Sequence, residues 1–278
     1  MSSLRGVIVS GASTGIGAAT ASLLSRTGFI AFAGVRSQAD AERLRATDPN
    51  VRPVMLDVTD ASSLEGAIAE VVASGVPLKG VVSNAGIALA GPLEHFPLEQ
   101  LRHQFEVNVF GAIALVQGAL PHLPSPGGRV VLVGSISGRL AAPYLGPYSS
   151  SKFALRALAD SLRQELHPIG IAVSLVEPGS VKTPIWRKGR ESRDRLMAML
   201  GAGARPHYYR ILDNLVRATE RQEQIGIPAE RVAEAILHAL TAPRPRENYL
   251  LGSAKAGSIV AMLPARMRDR LLRASRSR

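Results

Sequence analysis

Apolar residues along the chain fall into short, nearly unbroken runs separated by longer stretches of mixed polarity. The runs are Val7 to Ser10, Phe29 to Val35, Val51 to Asp57, Lys79 to Ser83, Arg129 to Val133, Ala172 to Val176 and Tyr249 to Leu251. Strands that are apolar at nearly every position are expected to be covered on both faces, as in a parallel sheet. Between them, Gly17 to Thr27, Ala39 to Ala46, Ser62 to Ala73, Leu98 to Ala119, Ser149 to His167 and Ala229 to Leu240 have helix length. The alternation predicts an α/β fold of Rossmann type, a doubly wound parallel sheet of about seven strands with helices on both faces. No Pro/Gly/Ser-rich linker interrupts the first 180 residues, so a single domain over residues 1–278 is expected. The charged segment Ile185 to Ile227 breaks the rhythm and is longer than an ordinary crossover, which suits a substrate lid over residues 185–227. A surface excursion without a role is the plainer alternative.

Composition narrows the classes. With 46% apolar residues among 278, the chain can bury a sizeable core. Its apolar runs stay well below the ~20 residues of a membrane-spanning helix. Met1 to Arg5 leads straight into Val7-Ile8-Val9, so no export leader is indicated and a cytoplasmic location is expected. The absence of cysteine excludes disulfides and thiolate chemistry. Six scattered histidines lack the i, i+4 spacing of a helical metal site, and no metal is expected. The net charge of +11 is concentrated at one end: Arg244 to Arg278 holds nine Lys/Arg against two Asp/Glu. The basic tail, residues 253–278, reads either as a solvated helix packed by Leu263, Leu271 and Leu272, or as a peripheral contact with an anionic membrane. No aromatics are interleaved with its arginines, which argues against nucleic acid.

The candidate chemistry lies earlier. Tyr148 and Lys152 are four apart, about one helical turn, so the phenol and the ammonium project from one helix face. A nearby cation favours the phenolate and moves a tyrosine toward the working range of a general acid/base. Ser135 lies thirteen residues upstream. After the first strand comes Ser10-Gly11-Ala12-Ser13-Thr14-Gly15-Ile16-Gly17 and then a helix. Glycines there let the backbone approach a pyrophosphate, which helix N-terminal N–H groups can meet. Together these residues point to a nicotinamide-dependent oxidoreductase. The second strand ends in Gly34-Val35-Arg36-Ser37, without the acidic residue that would hold the ribose of NAD. Arg36 could clamp the 2′-phosphate of NADP; NADP(H) is therefore favoured, with NAD(H) possible and a mere surface arginine as the alternative.

The Gly turn, Asp57, Asn84-Ala85-Gly86, Asn108, Ser135, Tyr148-x-x-x-Lys152 and Pro178-Gly179, in this order, resemble the short-chain dehydrogenase/reductase family over residues 5 to about 184. Gly34-Val35-Arg36 and Ala41-Glu42-Arg43-Leu44-Arg45 look like its branch of retinol and hydroxysteroid dehydrogenases. The resemblance implies that Asp57 bonds the adenine amino group, with Val58 beside it, although a strand-end Asp also caps turns. It implies that Asn84, Ala85 and Gly86 line the cofactor cleft, that Pro178 and Gly179 shape the turn under the nicotinamide, and that Val181 and Thr183 hold its carboxamide. Tyr148 would exchange a proton with the substrate oxygen, which Ser135 would hydrogen-bond. Lys152 would lower the Tyr148 pKa and hold the nicotinamide ribose, and Asn108, by its backbone carbonyl, would hold a water in a proton relay. Ser10 and Ser83 depart from the family's common Thr and Asn.

The pocket is expected at the carboxyl ends of the strands, walled by Ser137 to Tyr144, Pro178 to Trp186 and the lid. Leu140, Pro143, Tyr144, Leu145, Ile185 and Trp186 suggest an apolar alcohol or ketone, such as a retinoid, steroid or fatty-chain carbonyl. Ser135, Tyr144, Tyr148 and Trp186 are the expected substrate contacts, with His207-Tyr208-Tyr209 adding polarity. The resemblance also implies a homodimer or homotetramer built on the helices beginning near Leu98 and Ser149. A dinucleotide-sensing regulator without turnover is the alternative function; it would be expected to lack the serine or the tyrosine.

Overall fold

The computed structural model describes residues 4–46, 49–183 and 225–274. Trp186, His207-Tyr208-Tyr209 and nearly all of the expected lid lie outside the described residues. Seven parallel strands form one sheet in the order β3-β2-β1-β4-β5-β6-β7. They are β1 (Arg5–Val9), β2 (Phe29–Val35), β3 (Val51–Met55), β4 (Leu78–Ser83), β5 (Arg129–Val133), β6 (Ala172–Pro178) and β7 (Asn248–Leu251). All seven residues of β2 are buried, as a strand covered on both faces must be.

Side-chain alternation sorts this apolar content into two cores. Ile8, Ile30, Phe32 and Val54 face one way and pack with Leu64 and Ile68 of helix α3 (Ala61–Ala73), Leu115 of α5 (Gly111–Ala119) and Leu155 of α6 (Gly146–Leu166). Val7, Val9, Ala31 and Ala33 face the other way, onto Leu24 of α1 (Gly15–Arg26) and Val232 and Ile236 of α7 (Ala229–Thr241). In α3, Leu64, Ala67, Ile68 and Val71 make the buried stripe at helical spacing. Asp60 starts that helix by accepting from the backbone N–H groups of Ser62 and Ser63 at 2.9 and 3.2 Å. Each fully buried aliphatic side chain contributes about 1.5–3 kcal/mol.

At three boundaries around the site the departure from expectation has a local reason. β3 stops at Met55, because the Asp57 carboxylate folds the chain into a turn by accepting from the Thr59 N–H at 2.9 Å and its hydroxyl at 2.7 Å. The helix expected over Leu98 to Ala119 is interrupted: α4 (Leu98–Phe105) passes through a π-turn over Glu106–Phe110 into α5, with Gly111 N–H bonded to the Glu106 carbonyl. Such insertions gather at functional positions, and this one holds Asn108. α6 begins at Gly146, not Ser149, because Pro147 fits the first turn, and this places Tyr148 inside the helix. Helix α2 (Gln38–Arg45) borders β3, and the C-terminus forms α8 (Ala254–Ala261) and α9 (Ala265–Ala274).

Candidate active site

The strand order reverses between β1 and β4, and a crevice at such a point is where open α/β sheets bind ligands. Ser10 ties the two strand ends together. Its Oγ accepts from the N–H groups of Asn84 and Ala85, both at 3.0 Å, while Asn84 Nδ2 donates to the carbonyls of Ser10 and Gly11 at 2.9 and 3.1 Å. A serine supplies both of these acceptor contacts, so its departure from the common threonine leaves the latch intact. Gly11 and Gly15 have φ of 63° and 58°, which side chains rarely adopt. A Cβ on Gly17 would run into the Gly11 carbonyl and come within 2.6 Å of Asn84 Nδ2. Thr14, before the first residue of α1, makes no side-chain bond to the helix. The turn therefore offers a close backbone approach and unspent N–H groups, as a pyrophosphate requires, with Ser13, Thr14 and Ile16 on its rim.

At the other end of this crevice Arg36 is exposed, and its charge reaches Asp57. Burial pushes the Asp57 carboxyl up, but the two Thr59 bonds and Arg36 outweigh it and hold the group below its ordinary range. The turn-capping alternative for Asp57 is thus realised, on Oδ1. Val58 is buried against Gly111, where a Cβ would strike the Val58 carbonyl. Arg43, from α2, donates to the Ser13 carbonyl at 2.8 Å and to Asp40 at 2.6 Å. It brings a second guanidinium beside the Gly turn, a long-range contact that its place in the sequence does not signal.

Ser135, Tyr148 and Lys152 converge where β5 ends against α6. All three are buried, at 8%, 6% and 5% exposure, and the Ser135 and Tyr148 hydroxyls are hydrogen-bonded. Burial pushes the Tyr148 phenol above its ordinary value, and the Ser135 bond offsets only part of this. Lys152 is pulled down by burial to about 8. Its Nζ donates to the Val133 carbonyl at 2.9 Å and lies 5.9 Å from the centre of the phenol ring, while burial disfavours its charge.

Asn108 joins the group from the π-turn by its side chain. Oδ1 accepts from Ile87 N–H at 2.8 Å, and Nδ2 donates to the Ile87 carbonyl at 2.9 Å and to Ser151 Oγ at 3.0 Å. Ser151 in turn donates to the Tyr148 carbonyl at 2.8 Å. Asn108 thus splices the loop after Ala85 to the helix of Tyr148. A Cβ on Gly86 would stand 3.2 Å from Asn108 Oδ1 and 3.7 Å from Lys152 Nζ. Ser151 went unread in the sequence because serine is common in a helix's first turns; only the polar partner across the core marks it.

Pro178 ends β6, and Gly179 N–H bonds to the Leu251 carbonyl at 3.0 Å, with no room for a side chain beside Ser253. Val181 is buried and bridges to Ile227; Thr183 follows, half-buried. An open cleft of about 400 Å³ lies between Gly15, Lys182 and Glu230, joining the Gly turn to this segment. Tyr144 has φ of 67°, a strained value for an aromatic residue, and its carbonyl accepts from Gly91 N–H at 2.8 Å. Glu177, just before Pro178, is completely buried. One acidic residue in an otherwise apolar strand was the unread signal for it.

The short chain dehydrogenase family profile matches residues 5–194. The chain is 36% identical to the NADPH-dependent 3-dehydrocapnine reductase of Ornithobacterium rhinotracheale, over 96% of both sequences. It is 34% identical to mouse retinol dehydrogenase 5, over 96% of this chain and 87% of that one. A crystal structure of a short-chain dehydrogenase from Streptomyces avermitilis superposes with a TM-score of 0.79 at 27% identity, covering 100% of this chain and 98% of the other. The chain belongs to the short-chain dehydrogenase/reductase family. It is an oxidoreductase of that class.

Proposed function

We propose that the chain reduces an apolar ketone or aldehyde, or oxidises the corresponding alcohol, with NADP(H) as the favoured partner. The carrying observation is the burial of Tyr148, Ser135 and Lys152 in one cluster with the phenol hydrogen-bonded to the serine. The residues fit a dinucleotide: the Gly turn leaves backbone where side chains would stand, and two guanidiniums flank the adenosine end. The nicotinamide supplies or accepts the hydride. Ser135 holds the substrate oxygen, and Tyr148 gives it a proton during reduction and takes one back during oxidation. Lys152 holds the ribose hydroxyls in exchange for the Val133 carbonyl; those partners favour its ammonium, whose charge then lowers the Tyr148 pKa. Asp57 and Val58 flank the adenine, Asn84 to Gly86 line the cleft, and Val181 and Thr183 hold the carboxamide. Retinol in the mouse relative, and the apolar Leu140, Pro143 and Leu145, support an apolar substrate. A panel of ketones tests this with NADPH: apolar ones should raise the melting temperature and drive NADPH oxidation, and a response confined to small sugars contradicts it.

Arg36 and Arg43 support the choice of NADP. Arg36→Ala should lower the NADPH/NADH ratio of kcat/KM about 10- to 100-fold, the loss of a charge-assisted bond of about 1.5–3 kcal/mol. An unchanged ratio removes Arg36 from the phosphate site.

Assembly as a homodimer through α4 and α6 is supported by the exposed Leu98 of α4, Phe110 of the π-turn that follows it and Phe153 of α6. The tail is read as a peripheral contact with anionic lipid. Met262 and Ile259 are 86% and 67% exposed, and Met267 and Leu271, one turn apart on α9, are flanked by Arg266 and Arg270. Among the described residues no helix is long and apolar enough to cross a membrane. Deleting Arg266 to Arg278 should abolish co-sedimentation with phosphatidylglycerol vesicles and leave turnover of a water-soluble ketone within about twofold; retained sedimentation overturns the tail's role.

A further inference from the structure

Glu177 is the point where the three elements of the candidate active site meet. Its fully buried carboxylate accepts from Arg139 Nε at 2.8 and 2.9 Å and from Arg139 Nη2 at 2.6 Å. Arg139 closes the tight turn that begins at Ser135, where Gly138 N–H bonds to the Ser135 carbonyl at 2.9 Å. On the other side Arg156 Nε approaches Glu177 Oε1 to 4.0 Å and has no hydrogen bond of its own, although it is buried. Arg156 stands on α6 one turn beyond Lys152. Glu177 itself immediately precedes Pro178-Gly179. The turn of Ser135 also presses directly on α6: a Cβ on Gly138 would lie 2.7 Å from the Lys152 carbonyl.

A lone acid in a strand core is costly unless it is paired and hydrogen-bonded. A hydrophobic pair would brace the same elements without fixing direction, whereas a planar fork on a carboxylate fixes both distance and angle. We propose that Glu177 is a positioning residue. Resting on the carbonyl-reductase reading above, it sets the register of the Ser135 hydroxyl against Tyr148 and Lys152 and against the turn beneath the nicotinamide. Arg139 is the rigid arm through which it acts on Ser135.

Arg139→Lys keeps the charge and loses the fork, so the fold should survive; Glu177→Gln removes the charge at constant shape. In the full-length enzyme both should lower kcat for an apolar ketone about tenfold or more, a loss consistent with slight misplacement of reacting groups. The primary deuterium isotope effect with C4-deuterated NADPH should rise, and the Kd for NADPH should stay within about twofold, since the Gly turn is untouched. Amide exchange at Ser137 and Gly138 should quicken in Arg139→Lys. Unchanged kcat and isotope effect with a lower Tm would make the pair a core brace and overturn the proposal. So would unchanged exchange at those two amides, whatever the turnover. Parent enzyme that oxidises NADPH with no ketone in the panel would instead sink the carbonyl-reductase reading, while the exchange result would still decide the role of Glu177.

Discussion

Replacing Tyr148 with Phe should lower ketone-dependent NADPH oxidation about 10²- to 10⁴-fold, the usual contribution of a positioned general acid. The phenylalanine fills the same buried space and loses only the hydroxyl bonded to Ser135. Folding stability should therefore fall by no more than about 1–3 kcal/mol, the cost of one broken, buried hydrogen bond. NADPH binding, measured by fluorescence titration, should change little, because neither the Gly turn nor Arg36 is touched. Turnover equal to the parent would remove the phenol from the chemistry, and lost NADPH binding would assign it to the cofactor site alone.

Lys152→Met should be nearly as damaging, on the order of 10²-fold or more in kcat, and it carries a signature in pH. Reduction needs a protonated Tyr148 and a charged Lys152, both of which are forms present at low pH. In the free enzyme Lys152 titrates at about 8, so reductive kcat/KM should be level below that pH and fall as pH rises through it. Without the lysine that limb has only the phenol to follow. Burial has pushed the phenol upward, so the limb should move to higher pH. A profile that falls at the same pH in parent and variant would assign the titration to another group.

Most of the frame was legible from the chain. The strand runs are apolar at nearly every position because both sheet faces are covered, and the seven appear in the expected places. Turn chemistry was legible too: Gly11 and Gly15 take left-handed backbone, and neighbouring atoms leave no room for a Cβ on Gly11 or Gly17. Long-range polar contacts were not. The π-turn sets the Asn108 side chain onto Ile87 and Ser151, contacts that its place in the sequence does not signal. Helical spacing sets Lys152 over the phenol ring, 5.9 Å from its centre, but gives no sign of the Val133 carbonyl on β5 that its amine bonds. Such partners lie 19 to 43 residues distant, and no local periodicity encodes them. Glu177 shows the same limit: the acid in a largely apolar strand is visible in the sequence, but only packing reveals the two arginines around it.

The proposed reaction passes hydride directly to a carbonyl carbon held beside Tyr148. It is tested by incubating the parent enzyme with C4-deuterated NADPH, carrying the label on the transferable face, and an apolar ketone in ordinary water. Mass spectrometry of the product should show an alcohol with a single deuterium on its carbinol carbon, formed by the parent and not by Tyr148→Phe. Unlabelled alcohol, or equal labelled yield from the variant, would contradict it.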